Sequence, residues 1–419
     1  MNIYTILIVA LIIGKNIFDL FVERLNIKSA SEKLPDEFKS HYDDKKYRKS
    51  QRYLREKTIF ELYRNTFFTL LLILLIFTGA FNYIDKLAGN LGAGQVTSGL
   101  IFAGILAFSA YVADIPFSIY KTFGIEQKYG FNRTTPATFI SDLLKGLIIM
   151  AILGGGLFAG IVWFFSNYGR IAWFYAWIFY VLFQIIISII APRIILPLFN
   201  RYEPLKKKEL REAIEDFSEK QGFKIKDIYQ MDGSKRSSKS NAFFTGIGRN
   251  RRVVLFDTLI EKHSVNELVA VLAHEIGHFK KKHIIKYMVV SSFFAGLMFF
   301  LLSLFITATP LFHAFGVEQA SVYAGIIFFG FIYAPISVII SVLRNYISRR
   351  NEVQADFYAV KSSGQPQALI SALKKLSVNN MVNLTPHPLK VKLHYSHPPV
   401  LERIKYIKDF VAAAPQTEG

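Results

Sequence analysis

Apolar positions along this chain gather into long runs instead of alternating with polar ones. Seven runs approach or exceed the roughly 18 residues that a helix needs to cross a bilayer. They predict membrane spans over residues 3–21, 65–83, 98–120, 143–165, 171–190, 284–306 and 322–343. The first does not read as a cleaved signal peptide, because no basic residue precedes it and Lys15 and Asp19 interrupt it. Spaced i, i+4, those two can pair on one helix face.

The stretches between the runs have patterns of their own. Residues 23–58 hold eleven Lys or Arg and predict a solvated, partly helical segment. Residues 124–132 are too polar to span and predict a structured loop. Gly154, Gly155 and Gly156 weaken the fourth run as helix, which close packing on a neighbour tolerates. Pro192 and Pro197 predict the end of the fifth run, after which the main polar insert begins. In it, residues 205–221 predict an amphipathic helix with Lys206, Lys207 and Lys208 in its first turn. Residues 225–231 and 253–256 predict strands, and 234–246 can pair with the second as a hairpin. From Val265 onward, Leu268, Val269, Leu272 and Ile276 have helical spacing.

Composition narrows the class. At 419 residues the chain has room for two or three soluble domains, but 52% hydrophobic content with 39 Phe defines a polytopic membrane protein. The net charge of +19 comes without an aromatic-basic binding motif, so nucleic acid is not the partner. Basic segments follow spans one, three, five and seven, whereas loop 309–320 has no Lys or Arg and loop 85–97 only Lys86. The positive-inside rule then puts the N-terminus outside and residues 23–58, 201–283 and 349–419 in the cytoplasm. The expected organisation is spans one to five in 1–200, a cytoplasmic insert in 201–283, spans six and seven in 284–348 and a largely helical cytoplasmic part in 349–419. There is no Cys, so any zinc must be held by His and carboxylates.

The insert carries His274-Glu275-Ile276-Gly277-His278 on its predicted helix. Positions i and i+4 share a face, so both imidazoles can reach one metal, with Glu275 beside a metal-held water as general base. A catalytic zinc takes a third protein ligand, and Glu352 is the candidate, with Asp356 one turn on to orient a ligand imidazole. By spacing alone, Glu352 can equally pair with Arg349 and Arg350 on a solvated helix.

With Asn351-Glu352-Val353-Gln354-Ala355-Asp356 downstream of it, the motif resembles the type I CAAX prenyl endopeptidases, integral-membrane zinc metalloproteases. Pro197 to Asn200, Glu203 to Leu205, Ser234 to Gly246, Val254 to Leu259 and Tyr395-Ser396-His397-Pro398-Pro399 with Glu402-Arg403 agree. The resemblance covers nearly the whole chain. It implies an all-α, multi-pass fold with seven helices around a water-filled intramembrane chamber. It implies further that a gluzincin-type peptidase domain carrying a small β-hairpin closes the chamber on the cytoplasmic side. It also implies one zinc on His274, His278 and Glu352, Asp356 behind them, His397 and Arg403 beside the metal, and a substrate-binding edge at Asn241 and Ala242. His263, His283 and His313 read as incidental, and His387 and His394 as surface or core residues. Asp114, Asp142, Lys145 and Gln184 lie in or near spans, where some can line the chamber and helix-end snorkelling equally accounts for Lys145. Two departures, Lys239 where eukaryotic relatives carry His and the tail Pro415 to Gly419 without a dilysine signal, lean toward a bacterial member.

The expected protein is thus a membrane zinc endopeptidase that acts on a peptide or protein substrate, lipidated in the family it resembles, and is embedded among membrane lipids. The rivals are a quality-control protease without prenyl substrates and a transporter or scaffold with a structural zinc. The expected location is the bacterial inner membrane, or the endoplasmic reticulum in a eukaryote.

Overall fold

The computed structural model describes residues 2–31, 33–92, 94–245 and 252–413, so the tail residues 415–419 and Gly246 lie outside it. Among the described residues, seven helices are long and apolar enough to cross a membrane. They are α1 (Ile3–Ser29), α2 (Asp44–Phe77), α3 (Gln95–Tyr129), α4 (Pro136–Asn167), α5 (Gly169–Phe199), α8 (His283–Phe305) and α9 (Val322–Ser363). Helices α6 (Lys208–Lys220) and α7 (Val265–Lys280) belong to the insert. Helices α10 (Pro366–Asn379), α11 (Pro388–His394) and α12 (Val400–Ala413) follow α9. Much of the exposed surface of the spans is apolar, as lipid requires: Ile3 is 71% and Phe293 65% exposed.

Four expectations change. The polar stretch after the third span is helix as far as Tyr129, widening to π-type turns over Tyr120–Glu126. Gly130, at φ +83°, ends it, and the amides of Phe131 and Asn132 fold back onto the Glu126 carbonyl. Likewise Pro192 and Pro197 do not stop α5. The helix widens over Ala191–Ile195 and continues to Phe199, with Lys145 Nζ donating to the Leu198 carbonyl at 2.8 Å. A proline removes one amide donor, and a local π-type adjustment re-satisfies the freed carbonyls. In the basic insert helix, Lys206 and Lys207 precede the first turn, since α6 begins at Lys208.

The fourth change concerns residues 23–58, which are not a solvated segment. Phe38, Tyr42 and Tyr47 are buried in one core with Leu210, Ile214, Leu268, Ile276, Val360 and Ile404. Helix α2, capped by Asp43, therefore runs unbroken from the peptidase core into the membrane. Of the expected second span only the part to Phe77 is in α2, because Gly79, at φ +72°, starts a separate short helix Ala80–Leu91.

The expected hairpin is present within a larger sheet. Strands β1 (Tyr202–Pro204), β2 (Asp227–Met231), β3 (Ala242–Thr245) and β4 (Arg252–Phe256) lie in the order β1-β2-β4-β3. β3 pairs antiparallel with β4, Ala242 opposite Leu255, while β2 and β4 run parallel. β3 is thus an edge strand. Between α1, α2, α3 and α9 lies a cavity of about 1090 Å³ whose lining includes Lys15, Asp19, Arg64 and Asp114. Lys15 pairs with Asp19 at 2.6 Å and Arg64 with Asp114 at 2.6 Å. Asp142 instead pairs with Arg236 of the insert, and Gln184 Oε1 is buried without a hydrogen-bond partner among the described residues.

Helices α7 and α9 cross where Gly277 faces Ala355. A Cβ on Gly277 would stand 3.1 Å from both Cα and O of Ala355 and 3.2 Å from the Tyr358 Cβ. Backbone cannot rotate away, so a larger residue must push the helices apart. Gly277→Val is expected to cost roughly 1–3 kcal/mol through overpacking and to lower metal content. Thermal melting and metal analysis test this; wild-type values for both would show that the close approach is not needed.

Candidate active site

Helix α7 starts with a capping box in which Ser264 Oγ accepts from the Glu267 amide and Glu267 accepts from the Ser264 amide. Lys375 and Ser371 of α10 also hold the Glu267 carboxylate, at 2.8 and 2.6 Å. So anchored, α7 directs His274 and His278 toward α9, where Glu352 and Asp356 are buried on the facing side. Each of His274, His278 and Glu352 offers a ligand atom, and those atoms lie within 4.8 Å of one another. The two Nε2 atoms are 3.1 Å apart, and Glu352 oxygens lie 3.3 Å from His274 Nε2 and 3.2 Å from His278 Nε2. Glu352 Oε2 is buried and has no hydrogen-bond partner among the described residues. Two nitrogens and a carboxylate turned toward one point fit a cation, and nitrogen and oxygen donors without thiolate suit a borderline metal. Glu352 is not in contact with the neighbouring arginines. Arg349 donates to the Val391 and Tyr395 carbonyls, at 3.0 and 2.7 Å, and Arg350 lies over the Tyr346 ring.

Behind this cluster Asp356 accepts from His274 Nδ1 at 2.8 Å, which leaves the Nε2 lone pair facing the ligand cluster. Arg403 of α12 grips the same carboxylate with two bonds, Nη2 to Oδ1 at 2.6 Å and Nε to Oδ2 at 2.8 Å. Breaking such a buried pair costs about 3–5 kcal/mol because one charge is left uncompensated. Arg403 also lies 3.8 Å from Glu352, so its place is behind the ligands. His397 is at the open rim, its side chain 61% exposed, with Nε2 3.4 Å from Glu352 Oε1 and Nδ1 2.9 Å from Ser396 Oγ. Glu275, half-buried beside the cluster, has no hydrogen bond or ion pair among the described residues. Burial pushes its carboxyl above the ordinary glutamate value of 4.5.

Ala242 begins the edge strand and Asn241 immediately precedes it. Sequence reasoning missed what holds them there. Asn380, after α10, accepts from the Ser240 amide at 3.1 Å and donates to the Ser240 carbonyl at 3.3 Å, as a neighbouring strand would. It also missed His283, which is not incidental. His283 Nδ1 lies 3.0 Å from His278 Nδ1, and its Nε2 lies 3.1 Å from Gln354 Oε1. With His278 Nε2 in the ligand cluster, its proton sits on Nδ1 and is donated to His283 Nδ1; His283 then donates from Nε2 to Gln354. The available signal was a His five residues after the motif, at the start of the next helix. His263 is buried with Nδ1 3.0 Å from the Leu259 carbonyl, and His387 caps α11; neither approaches the ligand cluster.

Fold and site together define a multi-pass membrane metallopeptidase. The family profile "CAAX prenyl protease N-terminal, five membrane helices" matches residues 23–201, and "Peptidase family M48" matches residues 204–411. The CAAX prenyl protease 1 homolog of Arabidopsis thaliana is 35% identical over 383 residues, covering 89% of this chain and 90% of its own. CAAX prenyl protease 1 of Saccharomyces cerevisiae is 32% identical, covering 92% and 90%, and the Homo sapiens homolog 32% identical, covering 90% and 88%. The crystal structure of S. mikatae Ste24p superposes with a TM-score of 0.92 at 31% identity, covering 97% of this chain and 99% of that one. The chain belongs to the CAAX prenyl protease 1 family of M48 metallopeptidases. These relatives are plant, yeast and human proteins and lend no support to the bacterial origin suggested by Lys239.

Lys239 itself has a structural role, with Nζ 2.7 Å from Glu126 Oε2, 3.0 Å from the Tyr53 hydroxyl and 4.3 Å from the centre of the Phe131 ring. For the relay behind His278, His283→Ala is expected to weaken metal binding about 10–100-fold, the usual cost of losing an imidazole's outer partner. Chelator competition measures it; unchanged affinity would mean that His278 needs no such support.

Proposed function

We propose that this protein is a zinc endopeptidase that removes the C-terminal tripeptide from prenylated proteins, with its active site on the cytoplasmic side of the membrane. The convergence of His274, His278 and Glu352 beside the unpaired Glu275 supports this reading most directly. When bound, zinc polarises the scissile carbonyl and acidifies a water. The extended peptide adds to the outer edge of β3 at Asn241 and Ala242, where backbone groups fix its register. Glu275 takes the proton of the attacking water and delivers it to the leaving amine. His397, at the rim, donates to the oxygen of the attacked carbonyl. Asp356 fixes the tautomer of His274, and Arg403 fixes Asp356. The prenyl substrate class is supported by the relatives, which are CAAX prenyl proteases. A quality-control protease built on the same site would cleave matched peptides equally with and without the prenyl group. Mass spectrometry of such a pair, incubated with the purified protein, tests the substrate class.

The two carboxylates near the metal have different roles. Glu352→Ala should lose metal and cleavage together. Glu275→Gln should retain metal and fold but turn over at least ~100-fold more slowly, since only the base is gone. Chelation by 1,10-phenanthroline should abolish wild-type cleavage. Wild-type turnover by Glu275→Gln would exclude Glu275 as the base and overturn this mechanism.

The orientation follows from the charge asymmetry, which places the N-terminus outside the cell, or in the lumen if the host membrane is the endoplasmic reticulum. The chain contains no Cys, so single cysteines can be introduced without interference. An impermeant thiol reagent on intact bacteria, or on sealed inside-out reticulum membranes, should label a cysteine near residue 315 and not one near 215. Labelling of the second alone would reverse the topology.

A further inference from the structure

A second site lies away from the metal, where α2 enters the membrane. The lower part of α2 sits in the peptidase core through Tyr47, and its apolar run begins at Asn65, after the charged residues Glu61 and Arg64. Between them Lys49, Arg52 and Arg55 follow at i, i+3 and i+6, one helix face. They form one wall of a groove of about 600 Å³, closed on the other side by Tyr120, Ile125, Lys128 and Tyr129 from the end of α3. Its membrane end is apolar and open, with Ile59 37%, Tyr120 55% and Tyr63 72% exposed.

Neighbouring cations in this region have carboxylate partners. Lys121 is 2.6 Å from Glu61, Lys128 is 2.8 Å from Glu56, and Arg64 is 2.6 Å from Asp114. Lys49, Arg52 and Arg55 have no hydrogen-bond or ion-pair partner among the described residues. The acidic group of the groove, Glu56, is already used by Lys128 and by the Tyr129 hydroxyl at 2.7 Å. Along the helix axis, Arg55 is about 15 Å and Arg52 about 20 Å from Asn65. Flexible stems let their guanidinium groups extend toward the headgroup layer. Three unmatched positive charges above an apolar, lipid-facing floor complement an amphiphile with a negatively charged head.

We propose that this groove is a binding site for an anionic glycerophospholipid, with the phosphate held by Lys49, Arg52 and Arg55 and an acyl chain laid along Ile59, Tyr63 and Tyr120. Such a lipid would fill the angle between the peptidase domain and the membrane, on the α2 face that links them. Basic residues next to a membrane each contribute a severalfold preference for anionic lipid.

The test uses full-length protein in phosphatidylcholine nanodiscs doped with a minority of phosphatidylglycerol, with retained lipids counted by native mass spectrometry. Wild type should retain phosphatidylglycerol above its bulk share. The variant Lys49→Gln/Arg52→Gln/Arg55→Gln should lose this enrichment by on the order of tenfold or more. An equal charge change on α6, Lys208→Gln/Arg211→Gln/Lys220→Gln, should leave it intact. Ile59→Ser/Tyr63→Ser keeps the charges but removes part of the apolar floor, and should also lower retention. Metal content and basal peptide cleavage in detergent report folding of each variant. No enrichment in wild type, wild-type enrichment in the groove variant, or equal loss in the α6 variant would overturn the proposal. Displacement of the lipid by millimolar inorganic phosphate would also overturn it, since the site would then be one for a soluble anion.

Discussion

The close crossing of α7 over α9 at Gly277 and Ala355 is the contact on which the rest of the site depends. Both histidines of the motif project from α7, and Glu352 and Asp356 from α9, so the distance between the helices sets the distances within the cluster at once. Glycine in a helix interior costs about 1 kcal/mol relative to alanine. Here the missing side chain lets two backbones approach, and tertiary packing compensates. The rest of the peptidase domain holds the crossing from behind. Glu267 ties the start of α7 to α10, and Arg403 ties α12 to Asp356. A displacement of α9 by a few tenths of an ångström would reach Glu352 and Asp356 together.

Charge balance explains why this packing is compatible with burial. Glu275, Glu352 and Asp356 bring three carboxylates into a space where Arg403 is the matching cation, leaving two formal negative charges. A divalent cation between His274, His278 and Glu352 would neutralise them. Buried charge is tolerated when paired and hydrogen-bonded. Asp356 receives three bonds from Arg403 and His274, whereas Glu352 Oε2 is buried with no hydrogen-bond partner among the described residues. His283 and Gln354 continue the same logic on the other side, since each imidazole whose Nε2 faces the metal must place its Nδ1 proton.

Much of this was legible in the sequence because it is periodic or local. The spacing of Leu268, Leu272 and Ile276 put the motif on a helix, and the i, i+4 rule brought its histidines together. Spacing alone left Glu352 divided between metal ligand and ion-pair partner, and the family resemblance, not periodicity, favoured the ligand. What escaped was long-range. The charged segment 23–58 looked solvated because its lysines outnumber its aromatics, yet Leu34, Phe38, Tyr42 and Tyr47 complete a core whose other members lie more than 150 residues away. The helix past Pro192 escaped because proline rules are written for helices in water, while a π-type turn resolves the same conflict inside a bundle. His283 escaped because it lies outside the motif and acts through His278. Strand β1 is three residues long and contains Pro204, which suits only an edge.

Helix α9 also connects the site to the membrane interior. Its first half lines the 1090 Å³ cavity with Phe331, Pro335, Val338 and Ile339, and its second half carries Glu352 and Asp356. One rigid helix therefore fixes the separation of chamber wall and metal ligand, about 20 Å from Ile339 to Glu352. The chamber cannot be a dry apolar space. Lys15, Asp19, Arg64 and Asp114 line it, and even in pairs such groups are costly in hydrocarbon. Pro335 adds to this, because without an amide proton it leaves the Phe331 carbonyl with no i+4 donor in the cavity wall. Ion pairs and a freed carbonyl are the groups that water satisfies, so the lining itself argues for a wet chamber ending at a site that consumes water.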